Sequence, residues 1–277
     1  MYISATTGGS RLAIQRGRQK QDVLKALLNV RPRFANVKLA RVSQAELCQE
    51  LVRFEEQLIT QSYKFGVLYV KHGQRDENEM FRNTETSPQF EEFLEWIGDK
   101  IVLKNWPHFR GGLDVKNDTT GTHSIYTRHR NMEIMFHVAP MLPFVEQDEQ
   151  QLERKRHLGN DVVVIIFSES EEPFHPLTLC SHFNHIFVVV SVDNFMTDKM
   201  QQTYYKMAFS CLEGVRPFHP FLTYPPIFPK NEKTRDFFLT KLINAERSAM
   251  YAPAFATKMT RTREALLSHV LRKLNLS

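Results

Sequence analysis

Four basic side chains and one carboxamide stand within seven positions of each other: Arg154, Lys155, Arg156 and His157, then Asn160. On a helix, residues three and four apart share a face, so Arg156 and His157 would lie over Asn160. The cations of such a cluster can dock carboxylates and carbonyls of a partner. The amide can both donate and accept hydrogen bonds. The same residues also have a purely structural reading. Gly159-Asn160 after a charged stretch is a helix C-cap pattern, because both residues tolerate left-handed backbone angles. Basic side chains near a helix C-terminus complement its dipole. Asp161, the next residue, could cap or orient the backbone beneath Asn160.

A second cluster, His175, Cys180, His182 and His185, has residue types suited to a metal. Its spacing matches no familiar structural zinc pattern, and no second cysteine pair exists to complete one. A capped turn with partly buried histidines is the expectation. Gly111-Gly112 suggests a tight turn or a close backbone approach. It is neither a Walker loop nor a dinucleotide fingerprint.

These residues need elements to hold them. Leu152 to Leu158 is charged and helix-friendly. Val162 to Phe167 is an unbroken apolar run that reads as a buried strand. Tyr63 to Val70, Ile186 to Val192 and Tyr204 to Cys211 read as further strands. His123 to Thr127 and Glu133 to Val138 form one hairpin. Ser87-Pro88 opens a helix with a capping hydroxyl and a first-turn proline; Phe90, Phe93, Leu94 and Ile97 are its buried stripe and Gly98 its end. Pro217 to Pro229 is an extended, aromatic-rich surface segment. Lys233 to Ala245 is a helix. The last helix is placed at Arg263 to Leu274, carrying Leu266, Leu267, Val270, Leu271 and Leu274, with Arg261 and Arg263 at its start. Before Tyr63, short strands around Gly8-Gly9 and helices at Asp22 to Val30 and Ala45 to Ile59 read as a support subdomain.

Composition sets the outer limits. The 277 residues are 42% hydrophobic and 24% charged, ordinary for a globular chain with a core. No apolar run approaches the ~20 residues needed to span a bilayer. The N-terminus lacks an apolar signal region; it is basic up to Asp22, which fits a transit peptide or the cut edge of a longer protein. Three widely spaced cysteines argue against a disulfide framework and for a reducing compartment. A net charge of +5 without a Lys/Arg tract makes nucleic-acid binding a weak hypothesis.

The stretch RKRHLGNDVVVIIF (154–167) resembles the signature of the Rap-type GTPase-activating protein domain. The likeness continues in order through FGVLYVKHGQ with ENEMF, FRGGLDVKNDTTGTHSIYT, EIMFHVAPMLPF, SHFNHIF and DFFLTKLINAE. It covers Tyr63 to Leu274. It looks closest to the Rap/Ran-GAP-domain-like branch that elsewhere carries a citron-homology domain. The resemblance implies an α/β fold: a catalytic subdomain (61–277) with a central sheet flanked by helices, like the small GTPases themselves. A short N-terminal α+β support or dimerisation subdomain (1–60) goes with it, and a homodimer is the assembly this allows.

The resemblance also implies the activity. Asn160 corresponds to the asparagine thumb, inserted into the nucleotide site of a GTP-bound Rap-type small GTPase that lacks its own water-orienting glutamine. His157, Arg156, Lys155, Arg154 and Arg261 (in an RTR preceding ALL) are the expected GTPase-binding residues, with no arginine finger among them. The domain would need no metal or cofactor of its own, because GTP and magnesium belong to the partner. It would act in the cytoplasm, recruited to membranes by its lipid-anchored GTPase without inserting directly. Two readings compete: a non-catalytic GTPase-binding scaffold of the same fold, and a metal-dependent hydrolase built on the histidine cluster.

Overall fold

The computed structural model describes residues 6–7, 10–11, 45–58 and 60–274. The chain divides into two compact units, Met1–Val52 and Arg53–Ser277. In the first, β1 (Thr6–Thr7) pairs antiparallel with β2 (Ser10–Arg11). The helix expected at Asp22 to Val30 lies outside the described residues. Helix α1 (Ala45–Leu58) crosses the division between the units.

The second unit is built on one mixed eight-stranded sheet. Its elements in chain order are β3 (Ser62–Val70), α2 (Glu77–Phe81), α3 (Pro88–Ile97), β4 (Asp99–Val102), β5 (His123–His129), β6 (Met132–Val138), α4 (Leu152–Gly159), β7 (Val163–Ser168), β8 (Ile186–Val192), α5 (Asn194–Met200), β9 (Tyr204–Cys211), β10 (Ile227–Pro229), α6 (Glu232–Ala249) and α7 (Pro253–Lys273). The strand order is β10-β9-β8-β7-β3-β6-β5-β4. Strands β6, β3, β7 and β8 run parallel at the centre, and the outer pairs are antiparallel. Parallel strands must be covered on both faces, which explains why β7 is buried along its whole length.

The period-2 alternation of β3 sorts the two layers. Tyr63, Phe65, Val67 and Tyr69 face a core closed by α3 and α6, through Phe90, Phe93, Phe238 and Leu242. Leu68 and Val70 face the opposite core with Met80, Phe81, Leu158, Val164 and Ile166. Each fully buried large side chain contributes roughly 1.5–3 kcal/mol. The aromatic first core therefore holds the sheet firmly while the second carries α4. Helix α3 starts as its sequence predicts: the Ser87 hydroxyl accepts from the Phe90 N–H at 3.1 Å, and Pro88 begins the first turn.

The last helix begins ten residues earlier than its apolar pattern suggests, at Pro253 after Ala252. Arg261 thus sits well inside α7 rather than at its start. Of the five large apolar residues it carries from Leu266 to Leu274, only Val270 is buried, and Leu267 is exposed.

Candidate functional site

Helix α4 is eight residues long, too short to be stable alone. It buries only Arg154 and Leu158, so a narrow apolar face cannot hold it in place. Polar anchors at both ends do so instead. At the start, the Asp148 carboxylate accepts from the Leu152 N–H at 2.8 Å. The guanidinium of Arg154, 1% exposed, donates to the carbonyls of Leu142, Pro143, Phe81 and Asn83 at 2.7–3.2 Å. The placement of Arg154 among the partner-binding residues is thereby corrected. Every donor of its head group is turned inward, and it serves as an internal strut.

A helix C-terminus leaves carbonyls without intrahelical donors. Here each one is met by a side chain or a tightened turn. The Asn160 Nδ2 donates to Arg156 O at 2.8 Å, and its backbone N–H to His157 O at 3.2 Å. Leu158 O accepts from the Asp161 N–H at 3.1 Å and from Asn184 Nδ2 at 2.9 Å. The Ser181 hydroxyl donates to Gly159 O at 2.6 Å, and Lys64 Nζ to Asn160 O at 2.7 Å. Asn160 is therefore the C-cap that its sequence context suggests. It reaches that role at φ −96°, without a left-handed conformation.

Beneath it lies a charged floor. Asp161 is fully buried; one carboxylate oxygen accepts from Lys64 Nζ at 2.8 Å and the other lies 2.8 Å from His137 Nδ1. His137 Nε2 faces the carbonyl of Gly111 at 3.0 Å. A carbonyl only accepts, so this nitrogen carries a proton. Two glycines make the arrangement fit. A Cβ on Gly66 would come within 3.2 Å of an Asp161 oxygen and 3.1 Å of Leu158. Gly111, at φ +62°, lets the turn press against Met135 and His137, which is the close approach foreseen for Gly111-Gly112.

The structure brings Arg156, His157 and Asn160 together as the spacing requires. Arg156 is exposed and pairs with Glu153 at 2.7 Å. His157 is half-buried, its ring 5.6 Å from that of His137. Burial pushes its pKa below the usual histidine range, and the nearby His137 and Arg156 push the same way. Lys155 is held by Glu77 at 3.2 Å and by the Asn78 side chain. Arg261 stands exposed on α7. The first turn of α7 does reach the loop that bonds this turn: Phe255 packs on His185 with ring centroids 4.6 Å apart.

The histidine cluster does not converge. His175 and His182 are exposed, and His185 is buried with Nδ1 on the carbonyl of Phe183 at 2.9 Å. Among the described residues no group of three potential ligands could hold a metal ion. Sequence reading also passes over Lys64, His137, Ser181 and Asn184. They sit in separate strands and loops, and only the folded sheet places them under Asn160.

Glu246 of α6 adds a further titratable group in this neighbourhood. Its Oε2 is sealed from solvent without a hydrogen-bond partner. Burial, with Asp161 adding to it and Lys64 opposing, pushes its pKa up to about 8. The folded state therefore holds a proton that the unfolded chain releases near pH ~4.5. The stability gained from that proton is complete below this value and is lost as pH rises through about 8. Glu246→Gln, which mimics the protonated form, should match the wild type at pH ~4 and exceed it at pH ~8 by a few kcal/mol, at ~1.4 kcal/mol per pKa unit. Denaturation midpoints at the two pH values check this; equal midpoints at both would refute the neutral-carboxyl assignment.

Residues 80–264 match the Rap/ran-GAP family, about two thirds of the chain. A PH and Rap-GAP domain-containing protein of Dictyostelium discoideum is 46% identical over 230 residues, covering 83% of this chain and 19% of that protein. The GTPase-activating Rap/Ran-GAP domain-like protein 3 of Homo sapiens is 45% identical over 225 residues, covering 80% and 22%. Human signal-induced proliferation-associated 1-like protein 3 is 44% identical over 223 residues, covering 80% and 12%. Among solved structures, the TSC2 GAP domain superposes with a TM-score of 0.59 at 30% identity, covering 71% of this chain and 99% of that one. The chain belongs to the Rap/Ran-GAP family. It spans about a fifth or less of the length of these curated relatives. Among the described residues no helix is long and apolar enough to cross a membrane.

Proposed function

We propose that this domain accelerates GTP hydrolysis by a Rap-type small GTPase, placing the Asn160 carboxamide into the partner's GTP-bound site. One observation carries the reading. Asn160 is exposed while the backbone around it is pinned on every side, and its Nδ2 is tied to Arg156 O. Among the described residues its Oδ1 has no hydrogen-bond partner. A neutral oxygen held this way can accept a proton of the attacking water. The amide can also donate to a phosphate oxygen once it turns from the helix. Hydrolysis needs a positioned nucleophile and stabilised γ-phosphate charge, and activators raise the rate ~10³- to 10⁵-fold.

Arg156 and His157 flank the amide and would dock the GTPase, with Lys155 and Arg261 as outlying contacts. GTP and magnesium come with the partner, which is lipid-anchored and would bring the domain to membranes. The catalytic unit is residues 61–277, and residues 1–60 would support it or join a second copy. Arg156 docks and does not serve as an arginine finger. Arg156→Gln should therefore raise the half-saturating concentration and leave the saturating single-turnover rate unchanged; a lost rate at saturation overturns that role.

The test is single-turnover hydrolysis by purified Rap, Rheb, Ral and Ras with the wild-type domain. Acceleration of Rap above the other three supports the reading. Acceleration of another member alone leaves the mechanism and replaces the substrate. A folded domain that binds GTP-loaded Rap yet accelerates none of the four acts as a scaffold.

A further inference from the structure

Asn184 lies in the loop before β8 and is 3% exposed. Its Nδ2 donates to Leu158 O at 2.9 Å and to Asp161 O at 2.6 Å. These two carbonyls stand on either side of Gly159-Asn160. A primary amide has two diverging donors and no charge, so a single side chain closes both without burying an ion. Ser181 in the same loop donates to Gly159 O at 2.6 Å, and its hydroxyl accepts from the N–H groups of Phe183 and Asn184 at 3.1 and 3.4 Å. The loop is itself fixed: the His185 N–H donates to Val162 O at 2.9 Å, His185 O accepts from the Leu212 N–H at 2.9 Å, and the His185 ring packs on Phe255.

We propose that Asn184, assisted by Ser181, is the positioning residue for the catalytic carboxamide, fixing where the Asn160 side chain emerges; this rests on the reading of Asn160 as the inserted residue. Asn184 is buried and acts only through the backbone that carries Asn160. Without its clamp the turn after α4 can rotate while the helix stays anchored by Arg154. Lys64 does not replace the clamp, because it bonds Asn160 O and the Asp161 carboxylate rather than the carbonyls of Leu158 and Asp161, and is itself about one third exposed.

The test uses the full chain and the GTPase that responds in the panel. Asn184→Ala and Ser181→Ala should each lower the saturating single-turnover rate roughly 10- to 100-fold, the scale expected of a catalytic group displaced by about 1 Å. The half-saturating concentration should stay at the wild-type value. Joining Asn184→Ala to Asn160→Ala should slow the reaction no further than Asn160→Ala alone, since both act on one carboxamide. If Asn184→Ala does not fold, Ser181→Ala, which leaves the buried amide in place, decides. A wild-type rate in a folded single variant overturns the inference, as does a double variant slower than Asn160→Ala by the full Asn184 factor. If Asn160→Ala itself keeps the wild-type rate, the thumb reading falls first and this one with it.

Discussion

Asn160→Ala is expected to lower the saturating single-turnover rate by ~10³-fold or more, corresponding to ~4 kcal/mol of barrier at ~1.4 kcal/mol per tenfold. The fold should scarcely notice. The side chain makes one hydrogen bond, to an exposed carbonyl that water can satisfy, so the loss is at most about 1 kcal/mol. The backbone at φ −96° suits alanine without strain. Binding to the GTP-loaded partner should persist, because Arg156 and His157 remain. Asn160→Asp should be as slow for a different reason: it sets a carboxylate against the γ-phosphate and adds negative charge at a helix C-terminus. Rate at saturation, affinity and melting temperature measured on the same preparations separate these effects. A rate near the wild-type value with full binding would sink the thumb.

Arg154→Met should have the opposite profile, with a large loss of stability. The substitution keeps much of the volume but strips the donors from three buried carbonyls and the half-buried one of Pro143. Removing a buried, fully bonded charged group costs about 3–5 kcal/mol. At roughly 2–4 °C per kcal/mol for a domain of this size, the melting temperature should fall by about 10 °C. Desolvation lowers the guanidinium pKa to about 10, still far above neutrality, so the group remains a cation and needs those carbonyls. Arg154→Lys should recover only part of the loss, because a point charge cannot reach both sides of the fork. A melting temperature within a degree of the wild type would remove Arg154 from its role as strut.

Much of this architecture was legible in the chain. The strand runs at 62–70, 163–168 and 186–192 announce themselves by length and apolar content, and Ser87-Pro88 marks a helix start by chemistry that is wholly local. The face formed by Arg156, His157 and Asn160 followed from helical spacing alone. Arg154 was misassigned because a run of four basic residues looks uniform in sequence. Which one turns inward depends on carbonyls at Phe81, Asn83 and Leu142, and no local pattern reports them. The same limit hid Lys64, His137 and Asn184. The extent of α7 was misjudged for another reason: its first ten residues carry only Phe255 and Met259 as large apolar side chains, so no stripe marked them.

The anchoring of Asn160 has a consequence for hydrogen exchange. The last turn of a short helix ordinarily frays and exchanges its amides fast. Here the ties come from Lys64, His137 and Asn184, on segments 23 to 97 residues away in sequence. The turn cannot open without releasing β3, β6 and the loop before β8 together. The amides of Asn160 and Asp161 should therefore exchange only with the sheet, at a free energy close to that of global unfolding. Destabilising the domain anywhere then lowers the population of this closed turn in step, and Asn160 belongs to the most cooperative part of the molecule.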